Sequence, residues 1–241
     1  MGHAAPGSVS PANDIAGPPR TVGVILPVLN EAGILDTALT EILKQAPDEI
    51  IVVDGGSRDA TRDVVRNHPR IRLLETERGR AAQMNAGAAE ARSDILLFLH
   101  ADTRLPPQAL SHVRAAIQAG HLWGRFDVRL DGARPAYRVI ERFMNLRSAL
   151  TGIATGDQAI FVRRDVFERL GGYAPIALME DIELSARLKR RQRPARVRAP
   201  VVTSARRWEQ HGILRTVLRM WRLRLFYWLG MSPARLARWY A

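Results

Sequence analysis

A run of five apolar residues at 95–99 stops at the triplet His100-Ala101-Asp102. Such a run is too short to span a membrane and is typical of a central strand covered on both faces. Ligands of open α/β sheets collect at the carboxyl ends of strands, where this triplet would lie. Asp102 could there hold Mg²⁺ or Mn²⁺ against a diphosphate, because these cations prefer oxygen ligands. Alternatively, Asp102 caps the helix that Pro106 and Pro107 begin, so the triplet alone leaves both roles open.

Apolar runs and amphipathic stripes alternate regularly through the first hundred residues. Strands are predicted at 21–26, 49–53, 71–74 and 95–99, and helices at 31–45, from near Asp59, and at 81–91. Ser57 is predicted to cap the start of the second helix, because serine is common at this position. This alternation predicts right-handed crossovers and a mostly parallel sheet, which is a nucleotide-binding type of α/β layer.

The second half of the chain is less regular. Strands are predicted at 123–130, 158–162 and 197–203, and helices from Pro106 to Ala119 and at 134–150, 165–170 and 182–191. The pair Glu180-Asp181 opens the last of these helices. Acidic residues are favourable in a first turn, so this pair has a structural explanation beside any chemical one.

Polar or turn residues follow each of the four predicted strands of the first half. They are Pro27, Asn30 and Glu31 after the first strand, Asp54 after the second, Arg78 after the third, and His100 and Asp102 after the fourth. Each has a structural alternative, since Asn30 can cap a helix and Arg78 can be solvated. Four coincidences at successive strand ends favour a binding edge, where Gly55 and Gly56 would let a ligand approach the backbone.

The charge of the chain is strongly positive and comes almost entirely from arginine. Over 241 residues the net charge is +12, and Lys44 and Lys189 are the only lysines. This balance fits a nucleic acid, an anionic membrane face or a phosphorylated substrate. The basic residues concentrate late in the chain and show no zinc-finger, helix-turn-helix or RNA-binding pattern. We therefore expect no nucleic-acid partner.

The composition also indicates in which cellular compartment the protein is expected. The chain has no cysteine, which excludes disulfides and thiolate metal sites. Residues 1–20 are rich in Gly, Pro, Ala and Ser, and we expect a disordered tail there rather than a signal peptide. No window reaches the ~18 apolar residues that a bilayer span requires. A cytoplasmic protein is expected.

An amphipathic helix is predicted at 213–229. Its apolar side carries Leu214, Val217, Leu218, Trp221, Leu225 and Trp228, and its basic side carries Arg215, Arg219 and Arg222. Such a helix can lie on the anionic inner face of a membrane. The apolar stripe can instead pack on the second half of the protein, as most amphipathic helices do. Both interpretations stay open.

Seven motifs in a fixed order resemble those of the family 2 glycosyltransferases. They are TVGVILPVLNE, DGGSRDAT, RGRAAQMNAG, FLHADT, GDQAIFVRRDVFERLGGY, MEDIELSARL and SARRW, and the match extends from Thr21 to the C-terminus. The FLHADT form and the ending YWLGMSPARLARWY are most similar to one subgroup. That subgroup is named for its association with radical-SAM and selenodomain genes and with arsenosugar biosynthesis.

The resemblance implies a GT-A type nucleotide-diphospho-sugar transferase fold, with a single Rossmann-like, mostly parallel sheet flanked by helices. Residues 21–205 would form the glycosyltransferase domain, divided into a nucleotide-sugar half at 21–105 and an acceptor half at 106–205. A C-terminal helical segment would follow at 206–241. The implied reaction is an inverting transfer of a sugar from a UDP or GDP type donor to an acceptor that the sequence does not identify.

The resemblance also implies a donor site and an acceptor side. Within the donor site, Pro27, Glu31 and Asp54 would hold the nucleobase and ribose, and Arg78 would lie near the pyrophosphate. The full donor set is Pro27, Asn30, Glu31, Asp54, Gly55, Ser57, Arg78, His100, Ala101 and Asp102. The acceptor side would comprise Gly156, Asp157, Arg207 and Trp208.

By the same resemblance, Asp102 would bind Mg²⁺ or Mn²⁺ as the last residue of an Asp-x-Asp triplet, and Asp181, paired with Glu180, would be the catalytic base. These roles are chemically coherent. A cation and arginines would stabilise the charge of the leaving nucleoside diphosphate. One carboxylate is then enough as general base, because the leaving group needs no proton.

Two departures from the family pattern change these expectations. His100 replaces the first aspartate of the triplet, which removes one carboxylate beside the metal. The Gln-x-x-Arg-Trp signature of processive polysaccharide synthases appears as 204–208 without its Gln, so a single-transfer enzyme is expected. His100 also supports an alternative, a nucleotide-binding protein with an arginine-rich interaction surface that has lost catalysis. A nucleotidyltransferase is disfavoured, because 27–31 is not a glycine-rich phosphate loop.

Overall fold

The computed structural model describes residues 21–240, apart from the side chains of Arg207, His211 and Tyr240. The tail predicted at 1–20 lies outside the described residues, as does Ala241. One sheet of eight strands runs through the described chain in the order β3-β2-β1-β4-β7-β6-β8-β5. The predicted α/β architecture, a single sheet flanked by helices, is confirmed.

The elements follow one another along the chain. The strands are β1 (Val22–Val28), β2 (Glu49–Asp54), β3 (Arg72–Glu75), β4 (Ile95–Phe98), β5 (Thr103–Arg104), β6 (Trp123–Leu130), β7 (Phe161–Arg163) and β8 (Ala195–Thr203). The helices are α1 (Ala32–Lys44), α2 (Thr61–Arg66), α3 (Arg80–Glu90), α4 (Ala109–Gln118), α5 (Pro135–Thr151), α6 (Arg164–Arg169), α7 (Glu180–Arg191), α8 (Arg206–His211), α9 (Ile213–Trp228) and α10 (Pro233–Tyr240).

Strands β1 to β4 are parallel neighbours with apolar cores on both faces. Along β1, Val24 packs into a layer with residues of α1 and α4, whereas the next residue, Ile25, packs into a layer with residues of α3 and α7. Because both faces of β1, β2 and β4 are covered, these three strands are apolar at nearly every position, whereas the edge strand β3 is only partly buried. This explains why continuous apolar runs marked them in the sequence, and it brings their carboxyl ends to one edge.

The sheet is mixed, because β7 runs antiparallel to both β4 and β6. After α5 the chain passes through a 3₁₀ turn at Gly156–Gln158, where Gly156 lies against His100 at the carboxyl end of β4. The chain reverses there, so β7 runs back along β4. The strand predicted at 158–162 therefore begins later, and residues 156–158 form a turn at the same edge as the polar strand ends.

The helix cap predicted at Ser57 is wrong, and the alternative in which Asp102 caps a helix is excluded. Helix α2 begins at Thr61 with no side-chain cap, and Ser57 instead accepts a hydrogen bond from the backbone N–H of Asn30 at 2.9 Å. Helix α4 begins at Ala109, also without a side-chain cap, so Asp102 does not have this structural role. Both polar residues are therefore left for the loops at the sheet edge.

Gly124 on β6 is fixed by close contacts, and we expect Gly124→Ala to destabilise the fold. A Cβ there would lie 2.3 Å from Cζ of Phe161 and 2.8 Å from the carbonyl oxygen of Ala195. The unfolding free energy should fall by about 2 kcal/mol or more, the scale of an overpacked core. Denaturant titration measures this. In contrast, Gly33→Ala enters open space on α1 and should stabilise by about 0.5–1 kcal/mol. Equal stability of the two variants would contradict the β6–β8 packing.

The C-terminal helices attach to the domain mainly through side chains that are only partly buried, such as Ile213, Phe226 and Tyr227. Leu223 of α9 is buried against Met179 and Leu236, and Thr216 is also buried. The apolar stripe, for which internal packing was one of two interpretations, is exposed by 53% to 82% at Leu214, Leu218, Trp221, Leu225 and Trp228. Internal packing is therefore wrong for these five residues. Among the helices of residues 21–240, none combines the length and apolarity that a membrane crossing needs.

Candidate active site

Asp54 is fully buried where β2 ends. Its Oδ2 accepts hydrogen bonds from the backbone N–H groups of Gly56 at 3.0 Å and Ser57 at 2.9 Å. Its Oδ1 is also buried, but it has no hydrogen-bond partner among the described residues. A buried oxygen without a donor costs free energy. Oδ1 of Asp54 is therefore available to an N–H or O–H group of a ligand.

The loop after β1 is tied to the loop after β2. Asn30 adopts a φ of 54°, which Asn tolerates better than most residues. Its side-chain oxygen accepts a hydrogen bond from the N–H of Arg58 at 2.8 Å. The side chain of Asn30 thus does not cap α1, and it helps to shape the loops around Asp54. Pro27 lies within β1, one residue before its end, and pairs with Val53.

Gln83 of α3 links the ends of β1 and β2 through hydrogen bonds. Its buried side-chain amide donates to the carbonyl oxygens of Val28 and Val53, both at 2.8 Å. A Cβ at Gly55 would lie 3.0 Å from this amide, so the small size of Gly55 serves packing. Gly56 is exposed and has a φ of 90°. Of the two glycines, only Gly56 keeps the predicted open approach to the backbone.

Two carboxylates, Glu31 after β1 and Asp102 after β4, share the sheet edge. Burial raises the pKa of Glu31, and the negative charge of Asp102 raises it further. The charges of Arg206 and Arg80 oppose this rise. Asp102 is half-buried and accepts a weak hydrogen bond of 3.4 Å from the hydroxyl of Thr103. This edge is therefore electronegative and suited to a cation.

Arg80, at the start of α3, acts electrostatically on two carboxylates at this edge. Its charge opposes the raised pKa of both Glu31 and Glu180. Arg78 is exposed, and no contact between it and another site residue is found in the described part of the chain. Its role near a pyrophosphate stays a prediction. Ala101 lies in the apolar core beside Leu99, so only its backbone borders this edge.

His100, at the carboxyl end of β4, packs against the 3₁₀ turn. A Cβ at Gly156 would lie 2.5 Å from Cε1 of His100, which shows how closely the ring packs on this glycine. Nδ1 of His100 is 3.5 Å from Oδ1 of Asp157. The histidine that replaces the first carboxylate of the triplet therefore faces Asp157.

The Glu180-Asp181 pair opens α7 beside the same turn. Glu180 is buried, and burial together with the charge of Asp181 raises its pKa. Oδ2 of Asp181 accepts a hydrogen bond from the N–H of Gly156 at 2.7 Å, and Oδ1 accepts one from Ile182 at 2.7 Å. Asp181 is thus held in one orientation next to Asp157. The pair lies across the turn from the end of β4.

A groove of about 940 Å³ opens beside the 3₁₀ turn. Asp102 and Asp157 lie in its wall, and α5 and α9 contribute apolar residues to the wall. Trp208 of α8 also lines the groove, and its role on the acceptor side stays a prediction. The side chain of Arg207, predicted beside it, lies outside the described residues. Asp102, Asp157 and Trp208 therefore border the same groove.

Sequence reasoning missed two arginines of this groove, Arg147 on α5 and Arg224 on α9. Each lies within an apolar helical stripe, for example Arg224 between Met220 and Trp228 at intervals of four residues. An arginine inside an apolar stripe is a signal that a pattern search can detect. It was obscured here by the many solvated arginines of the C-terminal segment.

The carboxylate oxygens at the sheet edge are suitable ligands for a hard divalent cation. Asp102, with Glu31 beside it, offers carboxylate oxygens of the kind that Mg²⁺ and Mn²⁺ bind. Within residues 21–240 there is no group of three or more acidic or histidine side chains that could hold a metal ion. A cation on Asp102 would therefore need oxygen atoms of a bound diphosphate and of water to complete its shell, as is common for Mg²⁺.

The chain belongs to glycosyl transferase family 2, whose family model matches residues 23–171. The probable glycosyltransferase YdaM of Bacillus subtilis (strain 168) is 29% identical over 197 residues, which are 69% of this chain and 46% of that protein. The chain thus spans about half the length of this curated relative. The family is confirmed, while membership of the arsenosugar-type subgroup finds no support in these comparisons.

Solved structures share the architecture. The mannosyltransferase PcManGT from Pyrobaculum calidifontis, in complex with GDP-Man and Mn²⁺, is similar with a TM-score of 0.59 and 26% identity, over 91% of this chain and 64% of that one. The glucosyl-3-phosphoglycerate synthase of Mycobacterium tuberculosis has a TM-score of 0.56 at 19% identity, over 75% of this chain and 70% of that one. The second likeness concerns the fold alone. The predicted GT-A type fold is confirmed.

Proposed function

We propose that the protein transfers a sugar from a nucleoside-diphosphate sugar to an acceptor held in the large groove, with inversion at the anomeric carbon. The observation that carries this proposal is that one groove has both Asp102 of the donor edge and Asp157, beside the Asp181 carboxylate, in its wall. A donor at the strand ends and an acceptor in the groove would therefore meet at Asp181. Membership of glycosyl transferase family 2 supports the same reaction class.

The donor in this proposal is bound through its base, its ribose and its diphosphate. The unpaired Oδ1 of Asp54 suits the ring N–H that guanine and uracil share. The related PcManGT was solved with GDP-Man and Mn²⁺, which favours a GDP type donor and a divalent cation on Asp102 here. When bound, such a cation would neutralise charge on the departing diphosphate. Arg80 would add a fixed positive charge at the same edge.

Asp181 acts as the general base. Both of its oxygens already accept a backbone hydrogen bond, but each oxygen has a second lone pair for the acceptor hydroxyl. The hydroxyl oxygen attacks the anomeric carbon while its proton passes to Asp181. The bond from that carbon to the diphosphate breaks, and the nucleoside diphosphate leaves with the electron pair and without a proton. Attack from the face opposite the leaving group inverts the anomeric centre.

The first test concerns the donor site. We expect GDP to raise the melting temperature only when Mg²⁺ or Mn²⁺ is present, because the diphosphate and Asp102 bind the cation together. At a hundredfold excess over its dissociation constant, GDP should stabilise by about 2.7 kcal/mol, which is roughly 5–10 °C for a chain of this size. Differential scanning fluorimetry with UDP, with GDP and with EDTA measures this. If no nucleoside diphosphate shifts melting under any condition, the donor site is misassigned.

Asp54→Asn is the matched variant for this test. The amide oxygen can still accept from the backbone N–H groups of Gly56 and Ser57, so the loop keeps its bonds. The amide N–H₂ would then face the N–H of the base, and the affinity for GDP should fall about tenfold or more. Asp63→Asn, on the exposed side of α2, removes the same charge away from the site and should leave the shift unchanged.

We also propose that the exposed stripe of α9 contacts an anionic membrane surface. Trp228 is 82% exposed and Trp221 is 70% exposed, and arginines flank them. The protein should float with vesicles containing anionic lipid at low salt, and the double variant Trp221→Ser and Trp228→Ser should remain in the soluble fraction. Zwitterionic vesicles are the control. Absence of flotation with anionic vesicles at low salt would contradict this contact.

A further inference from the structure

The groove combines an apolar wall with a polar end near Asp157 and Asp181, whose arginines have no part in the proposed sugar transfer. Several side chains of the wall are more than half exposed, including Phe143, Leu146 and Leu150 on α5 and Trp221 on α9. Exposed apolar residues that line one groove indicate a ligand with apolar parts. The volume of about 940 Å³ is at the upper end of small-molecule sites. A small polar acceptor would leave most of this wall uncovered.

Two arginines occupy the polar end. Nε and Nη2 of Arg147 and Nε of Arg224 are buried and have no hydrogen-bond partner among the described residues. Burial lowers the pKa of both guanidinium groups, that of Arg147 to about 10. Arg147 therefore stays cationic at neutral pH. Each of the two also lines the groove.

The neighbouring carboxylates do not satisfy these donors. The charges of Asp157 and Asp181 favour the charged form of both arginines, yet Asp181 accepts its hydrogen bonds from backbone N–H groups. Within the part of the chain that the structure describes, no group accepts a hydrogen bond from these three buried guanidinium nitrogens. Unpaired charged donors in a groove are a costly arrangement unless a ligand completes it. An anionic group fits, since the guanidinium fork matches phosphate and carboxylate geometry.

We propose that the acceptor is a membrane lipid that carries a phosphate next to the hydroxyl that receives the sugar. Its hydrocarbon chain would lie along α5 and α9, its phosphate would bind Arg147 and Arg224, and its hydroxyl would reach Asp181. This inference rests on the proposed sugar transfer and adds the class of the acceptor. The exposed apolar stripe of α9 beside the groove gives the chain a path from a lipid surface.

Three probes distinguish the contribution of the hydrocarbon chain to binding from that of the phosphate. Lysophosphatidic acid has an acyl chain, a phosphate and a neighbouring hydroxyl, monoacylglycerol lacks the phosphate, and glycerol 3-phosphate lacks the chain. Binding below the critical micelle concentration can be followed by the fluorescence of Trp221 and Trp208 and by calorimetry. Lysophosphatidic acid should bind at least tenfold more tightly than either of the other probes. Equal binding of the first two probes would overturn the phosphate contact, and equal binding of the first and third would overturn the lipid.

Single substitutions test whether Arg147 and Arg224 bind the phosphate of the lipid. Arg147→Gln and Arg224→Gln should each reduce the affinity for lysophosphatidic acid about tenfold or more and leave that for monoacylglycerol unchanged. Arg147→Lys should retain part of it. Arg215→Gln removes the same charge from an exposed position of α9 and should have no effect. If Arg215→Gln weakens binding as much as the groove variants, general basicity explains the binding and the proposed site is wrong.

Donor binding, measured on the same samples, separates this inference from the sugar transfer. If GDP with Mn²⁺ binds normally and lysophosphatidic acid does not bind, the lipid acceptor alone is wrong. If GDP does not bind to the wild-type protein, the proposed function itself fails.

Discussion

Replacing Asp181 with Asn is expected to reduce turnover by about 10² or more while donor affinity stays the same. The loss is the usual scale for a missing general base. The amide oxygen of Asn can still accept the hydrogen bond from Gly156, so the 3₁₀ turn should keep its place. Release of GDP from GDP-mannose, with Mn²⁺ and with water as the acceptor, provides the turnover, and calorimetry with GDP provides the affinity.

Glu183→Gln is the matched control for this variant. Glu183 lies on the same helix and pairs with Arg187 at 2.6 Å, so its replacement removes an equal charge outside the groove. Its turnover should stay close to that of the wild-type protein. An active Asp181→Asn variant would refute the base assignment and would favour a catalytic group elsewhere. If the wild-type protein binds GDP but releases none from GDP-mannose, the alternative of a binding protein without catalysis gains support.

Replacing Asp102 with Asn is expected to impair binding as well as turnover. Removal of this carboxylate takes a negative charge from the only side chain that we assign to the cation. The dissociation constant for GDP with Mn²⁺ should rise about tenfold or more. Without the metal, wild-type and variant should bind GDP equally. The two aspartates would thus have different roles. The Asp181→Asn variant loses turnover alone, whereas the Asp102→Asn variant also loses metal-dependent affinity for GDP.

Calorimetry with and without Mn²⁺ on both variants decides between these outcomes. An Asp102→Asn variant that keeps full metal-dependent affinity would move the cation to other ligands, with Glu31 as the nearest candidate. That result would leave the donor pocket at Asp54 untouched. A loss of affinity that is equal with and without the metal would instead indicate a disturbed loop.

The sequence predicted the first half of the fold well because its strands are buried on both faces. The run at 95–99 became β4, and the polar residues after β1, β2 and β4 do meet at one edge. The prediction was weaker at 156–163, where the chain reverses against His100. This reversal depends on the contact between Gly156 and the histidine ring, which are far apart in sequence, and no local pattern encodes it.

The acceptor side was less predictable for a similar reason. Asp157 and Trp208 were proposed from the family motifs, and both line the groove. Arg147 and Arg224 come from two helices that converge only in the folded chain, so neither stands out among the many arginines of the sequence. The apolar stripe of α9 was identified, but its exposure depends on how α9 packs and not on its own periodicity.

The partly buried attachment of α9 also bears on how this protein can evolve. Two side chains of the helix, Thr216 and Leu223, are buried, whereas the donor edge is built on strands with apolar layers on both sides. Exposed positions tolerate substitution with little change in stability. Selection can therefore alter the groove wall along α9, and with it the choice of acceptor, while the nucleotide pocket and the sheet stay as they are.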